Sequence, residues 1–567
     1  MISVLSTNII SPLGFTTEEN YQAVRSGASA LKRYLPHEGV GKAWGLQEPF
    51  AASLFSDGQK AALAIDGYTF FEAIAIRSVR EALTHISIDA ASSRVVLILS
   101  TTKGNVELLG KQHLEGRYFP SEAAQTIAQA LGMTTTPIVV CNACVSGLSA
   151  QLLANHLLSA GLYDYAIVVG AEVQSKFIVS GFQSLKAVSD EPCRPFDIER
   201  IGLNLGEAAA TIIYAKAESL SPKGGGESRA WHLVAGAARN DAYHIVSPSP
   251  GAEGQTQAIE AAMQGWDKER LATICVHGTA TLYNDQMEAR AIQKAGLEDV
   301  PFSALKGYYG HTMGAAGVLE TILTMRATDD GIVLPSKGFT ELGVSGRANI
   351  SGDTKHTDKT SFLKLLSGFG GNNVAALYSK APPASLSGNN GQWSMVNGQF
   401  VKTHTVRLSS KDGKSLTDIY KQEIGNYPKF YKMDILTRLA FVAVELLKKS
   451  LPLTEELEGV CLFNHSSSIV ADRQFLETIS DEKDFFPSPS VFIYTLPNIT
   501  TGEIAIRHHL QGETSFYILP TKDEALMQQI LEATLRETKA KSAISGWVDA
   551  ESDTSFECEL STYIIQS

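Results

Sequence analysis

Cysteine is scarce, membrane-length apolar runs are missing, and positive charge is outnumbered. The six cysteines of this 567-residue chain, Cys141, Cys144, Cys193, Cys275, Cys461 and Cys558, are irregularly spaced, which excludes a disulfide framework and fits a reducing compartment. No segment supplies the roughly 20 apolar residues of a membrane span. The N-terminus, MISVLSTNIISPLG, lacks the basic start of a signal peptide, so a cytoplasmic location is expected. A formal net charge of -12 argues against a nucleic-acid binder but leaves room for a local basic patch facing an acidic partner. No glycine motif has the GxGxxG or GxxxxGK[ST] form, so no bound nucleotide or flavin is expected, and no ligand spacing implies a metal.

What is present is an ordinary soluble composition, 44% hydrophobic and 19% charged. A chain this long requires several domains or one large duplicated fold. RVVLILS from Arg94, PIVVC from Pro137 and YAIVVGAE from Tyr165 are apolar runs separated by helical patterns, which predicts an α/β protein with a sheet covered on both faces. SPKGGGES from Ser221 and APPASLSGNNGQW from Ala381 break the pattern, and the second reads as a linker. Beyond it the chain repeats itself. MDILTRLAFVAVELLKKS from Met433 parallels YTFFEAIAIRSVREAL from Tyr68, GVCLFNHSSS from Gly459 parallels VVLILSTTKG from Val95, and AISGWVDAES from Ala543 parallels AIVVGAEVQS from Ala166. Matching Gly170 with Gly546 puts Pro520 where Cys144 stands.

Cys144 follows a β-type run and precedes VSGLSAQLLANHLLSAG, a helix closed by Gly161. A helix N-terminus favours thiolate and a strand-to-helix turn exposes the sulfur, which suits a nucleophile. A buried structural cysteine fits the same segment, and Cys141 makes a CxxC with Cys144 that leaves a redox dithiol open. His277, in VHGTATLYND, and His311, in KGYYGHTMGAAGVLE, sit where loops leave strand ends; each taken alone is compatible with a core or surface role. LLSGFGGNN, Leu365 to Asn373, is a glycine-rich turn that lets backbone N–H groups approach a ligand, or a tight hairpin. His508 and His509 lie on an amphipathic run and read as structural or surface residues.

Together, NAC at Cys144, HGTAT at His277, the K…GH…AAG…E series from Lys306 to Glu320, and GFGG at Gly368 resemble the β-ketoacyl synthase family in order and separation. CRPFD at Cys193 to Asp197 and GEAAA at Gly206 to Ala210 add to the likeness, which covers residues 1–380. Ala280, Ile201 and Asn372 depart from the family's usual Gly, Asp and Thr. The resemblance implies a thiolase-like duplicated α/β fold, with a nucleophile half over 1–218 and a two-histidine half over 219–380. A linker and lead-in over 381–431 and a degenerate half-synthase region over 432–567 would follow, the latter carrying the family-like stretch Ser488 to Gly512. It further implies decarboxylative condensation in fatty acid, polyene or polyketide synthesis: Cys144 as acyl acceptor, His277 and His311 as enolate stabilisers, and Lys306 and Glu320 in support. Phe369, Gly368, Gly370, Thr279 and Thr281 would bind the substrate or its oxyanion. The only cofactor would be the phosphopantetheine of an acyl carrier protein, and a homodimer or a heterodimer with a second synthase-like chain would form. The alternative is a non-catalytic chain-length-factor-like partner of another synthase.

Overall fold

The computed structural model describes residues 1–111, 116–216, 230–381, 399–450 and 457–566. The break from Ser221 and the linker beyond Ala381 lie outside these residues. One continuous sheet of fifteen strands is built from three five-stranded units. The first unit holds β1 (Ile2–Ile10), β2 (Val95–Ser100), β3 (Ile138–Val140), β4 (Tyr165–Glu172) and β5 (Ala208–Lys216). The second holds β6 (His232–Asn240), β7 (Leu271–Cys275), β8 (Phe302–Ser303), β9 (Ser361–Gly368) and β10 (Asn372–Ser379). The third holds β11 (Gln399–Ser409), β12 (Gly459–Asn464), β13 (Thr514–Ile518), β14 (Ser542–Ser552) and β15 (Ser555–Gln566).

Each unit orders its strands third, second, fourth, fifth, first: β3-β2-β4-β5-β1, β8-β7-β9-β10-β6 and β13-β12-β14-β15-β11. In each, the second strand runs parallel to the third and fourth, and the fifth runs antiparallel to the fourth and first. Such identity of order and sense marks three copies of one fold. Copies one and two meet where Ile2 pairs with Leu233, and copies one and three meet edge to edge where Val140 pairs with Tyr517. The central strands are buried along nearly their whole length, which is why their sequences are continuous apolar runs rather than alternating ones.

The helices repeat as well. In chain order the ones that matter below are α1 (Phe70–Thr84), α2 (Ser146–Ser159), α3 (Lys176–Ser184), α4 (Leu282–Lys294), α5 (Ala316–Asp329), α6 (Ile435–Ser450), α7 (Ile499–His508) and α8 (Glu524–Thr538). Thr69 and Glu72 form a capping box that starts α1, which lies across β1, β4 and β5. Helix α6 lies across the equivalent β11, β14 and β15, as the matched amphipathic patterns predict. Helices α2 and α5, buried on nearly every side, pack against each other between the first and second units. Helix α8 reaches α2 from the third unit, so Ile530, Leu531 and Leu535 share one core with Leu153 and Leu157. A buried ion pair, Lys103 Nζ to Asp472 at 2.6 Å, also crosses that junction.

The third unit starts upstream of the expected residue 432, because β11 already belongs to its sheet and pairs with β15. QFVKTHTVRLS is an outermost strand whose Lys402 and Arg407 are exposed, a composition that protects an edge but reads as a polar lead-in. Val140 and Gly170 both stand opposite Ser100, and Phe516 and Gly546 both stand opposite Leu462. Pro520 therefore holds, in the loop between β13 and α8, the position that Cys144 holds between β3 and α2.

Candidate active site

Cys144 occupies the 3-10 turn Ala143–Val145 that carries β3 into α2. Ala143 has a φ of +49°, a left-handed conformation unusual for a residue with a side chain, and marks a forced turn. The helix N-terminus suggests a stabilised thiolate, but burial wins: the thiol is pushed up to about 12, with the Lys306 charge opposing the shift. In the free protein Cys144 is thus a thiol, and its proton must leave during reaction. Cys141 is also an unpaired buried thiol, and its sulfur donates to the Thr102 carbonyl at 3.6 Å.

His277 follows β7. Helix α4 holds that loop through Glu288, whose two oxygens accept from the backbone N–H groups of His277 and Gly278 at 2.7 and 2.8 Å, and through Asp285, which accepts from Thr279 at 3.0 Å. His311 is fixed by its own backbone, which donates to the Asn204 carbonyl at 2.6 Å and accepts from the Gly206 N–H at 3.1 Å. The two rings lie 5.2 Å apart, nearly perpendicular. Burial, reinforced by the Lys306 charge, pushes both imidazoles well below their ordinary value, so both are neutral. His311 Nδ1 accepts from the Met313 N–H at 3.2 Å, which leaves the proton on Nε2, and that nitrogen has no partner among the described residues.

Behind the rings lies a buried three-charge cluster. Lys306 Nζ donates to the His277 carbonyl at 2.6 Å and to Glu320 Oε1 at 2.8 Å, while Lys364 Nζ reaches Glu320 Oε2 at 2.6 Å. Burial alone would raise the Glu320 carboxyl, but the two lysines outweigh it and hold it below its usual value. Lys306 and Glu320 are therefore not cleft residues; they act through the loop that carries His277. Glu172, at the end of β4, accepts from the backbone N–H groups of Thr102 and Gly314, both at 3.0 Å, and ties the turn after His311 to the first unit; burial pushes it up to about 7. Sequence reasoning passed over Lys364 and Glu172, although each is a charged residue in an otherwise apolar strand run, and that is the signal that could have found them.

The cleft measures about 420 Å³, and Cys144, His277, His311, Thr279, Thr281, Gly368 and Phe369 all line it. Gly370 does not; it lies behind the turn, against the third unit. At the mouth stand the exposed apolar side chains Ile201, Leu282 and Tyr283. His508 pairs with Glu445 at 3.1 Å and His509 caps a helix in a left-handed conformation, so both belong to the scaffold of the third unit. The arrangement offers one thiol and two neutral imidazoles in one cleft, a set suited to covalent acyl transfer and to stabilising an enolate.

Residues 2–219 match the model of the β-ketoacyl synthase N-terminal domain and residues 232–340 that of the β-ketoacyl synthase C-terminal domain. The chain is similar to 3-oxoacyl-acyl-carrier-protein synthase 2 of Vibrio cholerae, 28% identical over 369 residues, covering 59% of this chain and 87% of that protein. The Synechocystis synthase 2 is 26% identical over 412 residues, covering 67% of this chain and 98% of its own. Among solved structures, the PfaC keto synthase-chain length factor aligns with 100% of this chain and 78% of its own at 13% identity, with a TM-score of 0.79. A β-ketoacyl synthase from Burkholderia phymatum STM815 covers 67% of this chain and 99% of its own at 22% identity, with a TM-score of 0.60.

Proposed function

The chain belongs to the β-ketoacyl synthase family, and from that premise we propose that it condenses a Cys144-bound acyl group with a malonyl thioester, both delivered on the phosphopantetheine arm of an acyl carrier protein. The observation that carries this reading is that Cys144 and two neutral, buried imidazoles line one cleft.

In the first half-reaction the Cys144 sulfur attacks the acyl thioester, the carbon–sulfur bond to the carrier breaks, and the thiol proton passes by way of a neutral imidazole to the departing carrier sulfur. The backbone N–H groups of Cys144 and Phe369 hold the oxyanion in between. In the second, the malonyl carboxylate leaves as carbon dioxide, and the electron pair it releases forms an enolate whose oxygen accepts hydrogen bonds from His277 and His311. The enolate carbon attacks the acyl-cysteine, a carbon–carbon bond replaces the carbon–sulfur bond, and the Cys144 thiolate regains a proton from solvent. Lys306 and Glu320 support this step by fixing the His277 loop. The apolar mouth at Ile201, Leu282 and Tyr283 suits the hydrophobic part of the arriving arm.

Incubation with malonyl-carrier and a panel of acyl-carriers, read by mass spectrometry, tests the reading. A β-ketoacyl product two carbons longer than the starter is expected. Absence of both a Cys144 adduct and carbon dioxide release with every carrier tried would favour instead a non-catalytic partner of another synthase.

A further inference from the structure

The glycine-rich turn beside Cys144 is not held by its own unit alone. Asn498, which opens α7 in the third unit, donates from Nδ2 to the Phe369 carbonyl at 2.8 Å. The next peptide N–H, that of Gly370, donates to the Ile245 carbonyl at 2.7 Å. The peptide following Phe369 is thus gripped at both ends, one of them by the third unit. The fit is close. A Cβ on Gly370, which has a φ of +87°, would stand 2.7 Å from Asn498 Nδ2, and a Cβ on Gly502 of α7 would stand 2.6 Å from the Gly370 carbonyl oxygen.

The same unit reaches the turn and the nucleophile at two further points. The Thr514 hydroxyl, at the start of β13, donates to Asn372 Oδ1 at 2.5 Å, so the asparagine that replaces the family's usual threonine is shared between Asn240 of the second unit, which donates at 3.1 Å, and the third unit. On the nucleophile side, the Phe516 N–H donates to Asn142 Oδ1 at 2.8 Å, and the Cys141 N–H donates to the Phe516 carbonyl at 3.2 Å. Both amides assigned to the oxyanion site, those of Cys144 and Phe369, therefore sit in turns braced by the third unit. The Asn498 side chain spends its hydrogen bond on the Phe369 carbonyl, and its Oδ1 is buried with no partner among the described residues.

We propose that the third unit completes the acyl-transfer site in cis, with Asn498 as the positioning residue for the Phe369 amide. This rests on the reading of Cys144 as acyl acceptor. Loss of the Asn498 donor leaves the peptide after Phe369 held only through the Gly370 N–H, so residue 369 shifts and its own N–H, on the other side of the Cα, moves with it; misplacement of that oxyanion donor slows acyl transfer, whereas decarboxylation depends on His277 and His311 and is spared.

Full-length wild type, Asn498→Ala, Asn498→Asp and Gly502→Ala are compared in two single-turnover assays: acylation of Cys144 from an acyl-carrier by intact mass, and carbon dioxide release from malonyl-carrier. Asn498→Asp keeps the volume but removes the donor, and Gly502→Ala, one turn further along α7, crowds the same glycine-rich turn at the Gly370 carbonyl. The expected result is acylation slowed by about ten- to hundredfold in the variants, below the hundred- to thousandfold cost of deleting a donor outright, with carbon dioxide release within about twofold of wild type. Acylation within twofold of wild type in both Asn498 variants overturns the proposal, as does an equal fall in both assays, which marks a merely structural role. A wild type that takes no acyl group overturns the functional reading itself, and is distinguished by failing before any variant is compared.

Discussion

Cys144 is mounted where a helix dipole favours thiolate and burial favours thiol, and burial prevails. Its reactivity therefore depends on a proton acceptor in the same cleft rather than on a standing thiolate. Cys144→Ala is expected to abolish the acyl adduct and condensation, while Cys141→Ser retains the adduct, since the Cys141 thiol is turned to the Thr102 carbonyl and lies outside the cleft. An acyl adduct on the Cys144→Ala protein, found by intact mass, contradicts the assignment. The histidines give a second expectation. Both have folded values well below 6.5, so below that pH the unfolded chain binds protons that the folded imidazoles refuse. Stability contributed by each is present above pH 6.5 and is lost on acidification, by up to about 1.4 kcal/mol per pH unit per histidine. His277→Asn should show a shallower fall in urea midpoint than wild type between pH 6.5 and 5; parallel pH profiles would remove His277 from the neutral pair. The motifs made these residues legible because their chemistry is local to short segments. Asn498 was not legible, since its role exists only once two segments far apart in sequence are folded against each other.

Strands and helices were legible to the degree that burial shaped their sequences. VVLILS and YAIVVGAE read as buried strands and are β2 and β4, and the paired amphipathic patterns are α1 and α6, docked on equivalent strands. Strand β11 was not, because an outermost strand exposed along much of its length carries the polar residues of a linker. Strand β9 shows the opposite exception: its centre, FLKLL, is apolar except for Lys364, which lies wholly inside. The sheet tolerates it because Glu320 of α5 stands 2.6 Å away and the Cys275 and Val276 carbonyls of the β7 end lie at 3.4 and 3.3 Å. Removing one partner of a buried charge network strands the rest, at a typical cost of about 3–5 kcal/mol. Lys364→Met should lose stability of that order in urea unfolding and slow decarboxylation by loosening the His277 loop. A loss under about 1 kcal/mol would show that Glu320 is satisfied by Lys306 alone.

At the scale of the whole molecule, three copies of one fold make a sheet in which the third copy uses the β3 edge of the first. An unpaired strand edge is a template for another chain, and here that edge is filled from within. Truncation after Lys380 would reopen it. Val139 and Val140 would lose Ile518 and Tyr517, Leu153 and Leu157 would lose their packing against α8, and Lys103 would lose both Asp472 and the Thr495 carbonyl. An apolar face of that extent cannot remain in water unchanged. The 1–380 protein is expected to self-associate or aggregate where the full chain does not, as read by light scattering, and to lose acylation of Cys144 because the turns at Asn142 and Phe369 lose their braces. The catalytic residues are all present in that fragment, so its failure would trace to the missing support alone. Adding residues 399–567 as a separate chain should restore part of the acylation if the support is a docking effect. A fragment that runs as a single 1–380 chain and condenses at the full-length rate would show instead that the third unit is a passenger on a self-sufficient synthase.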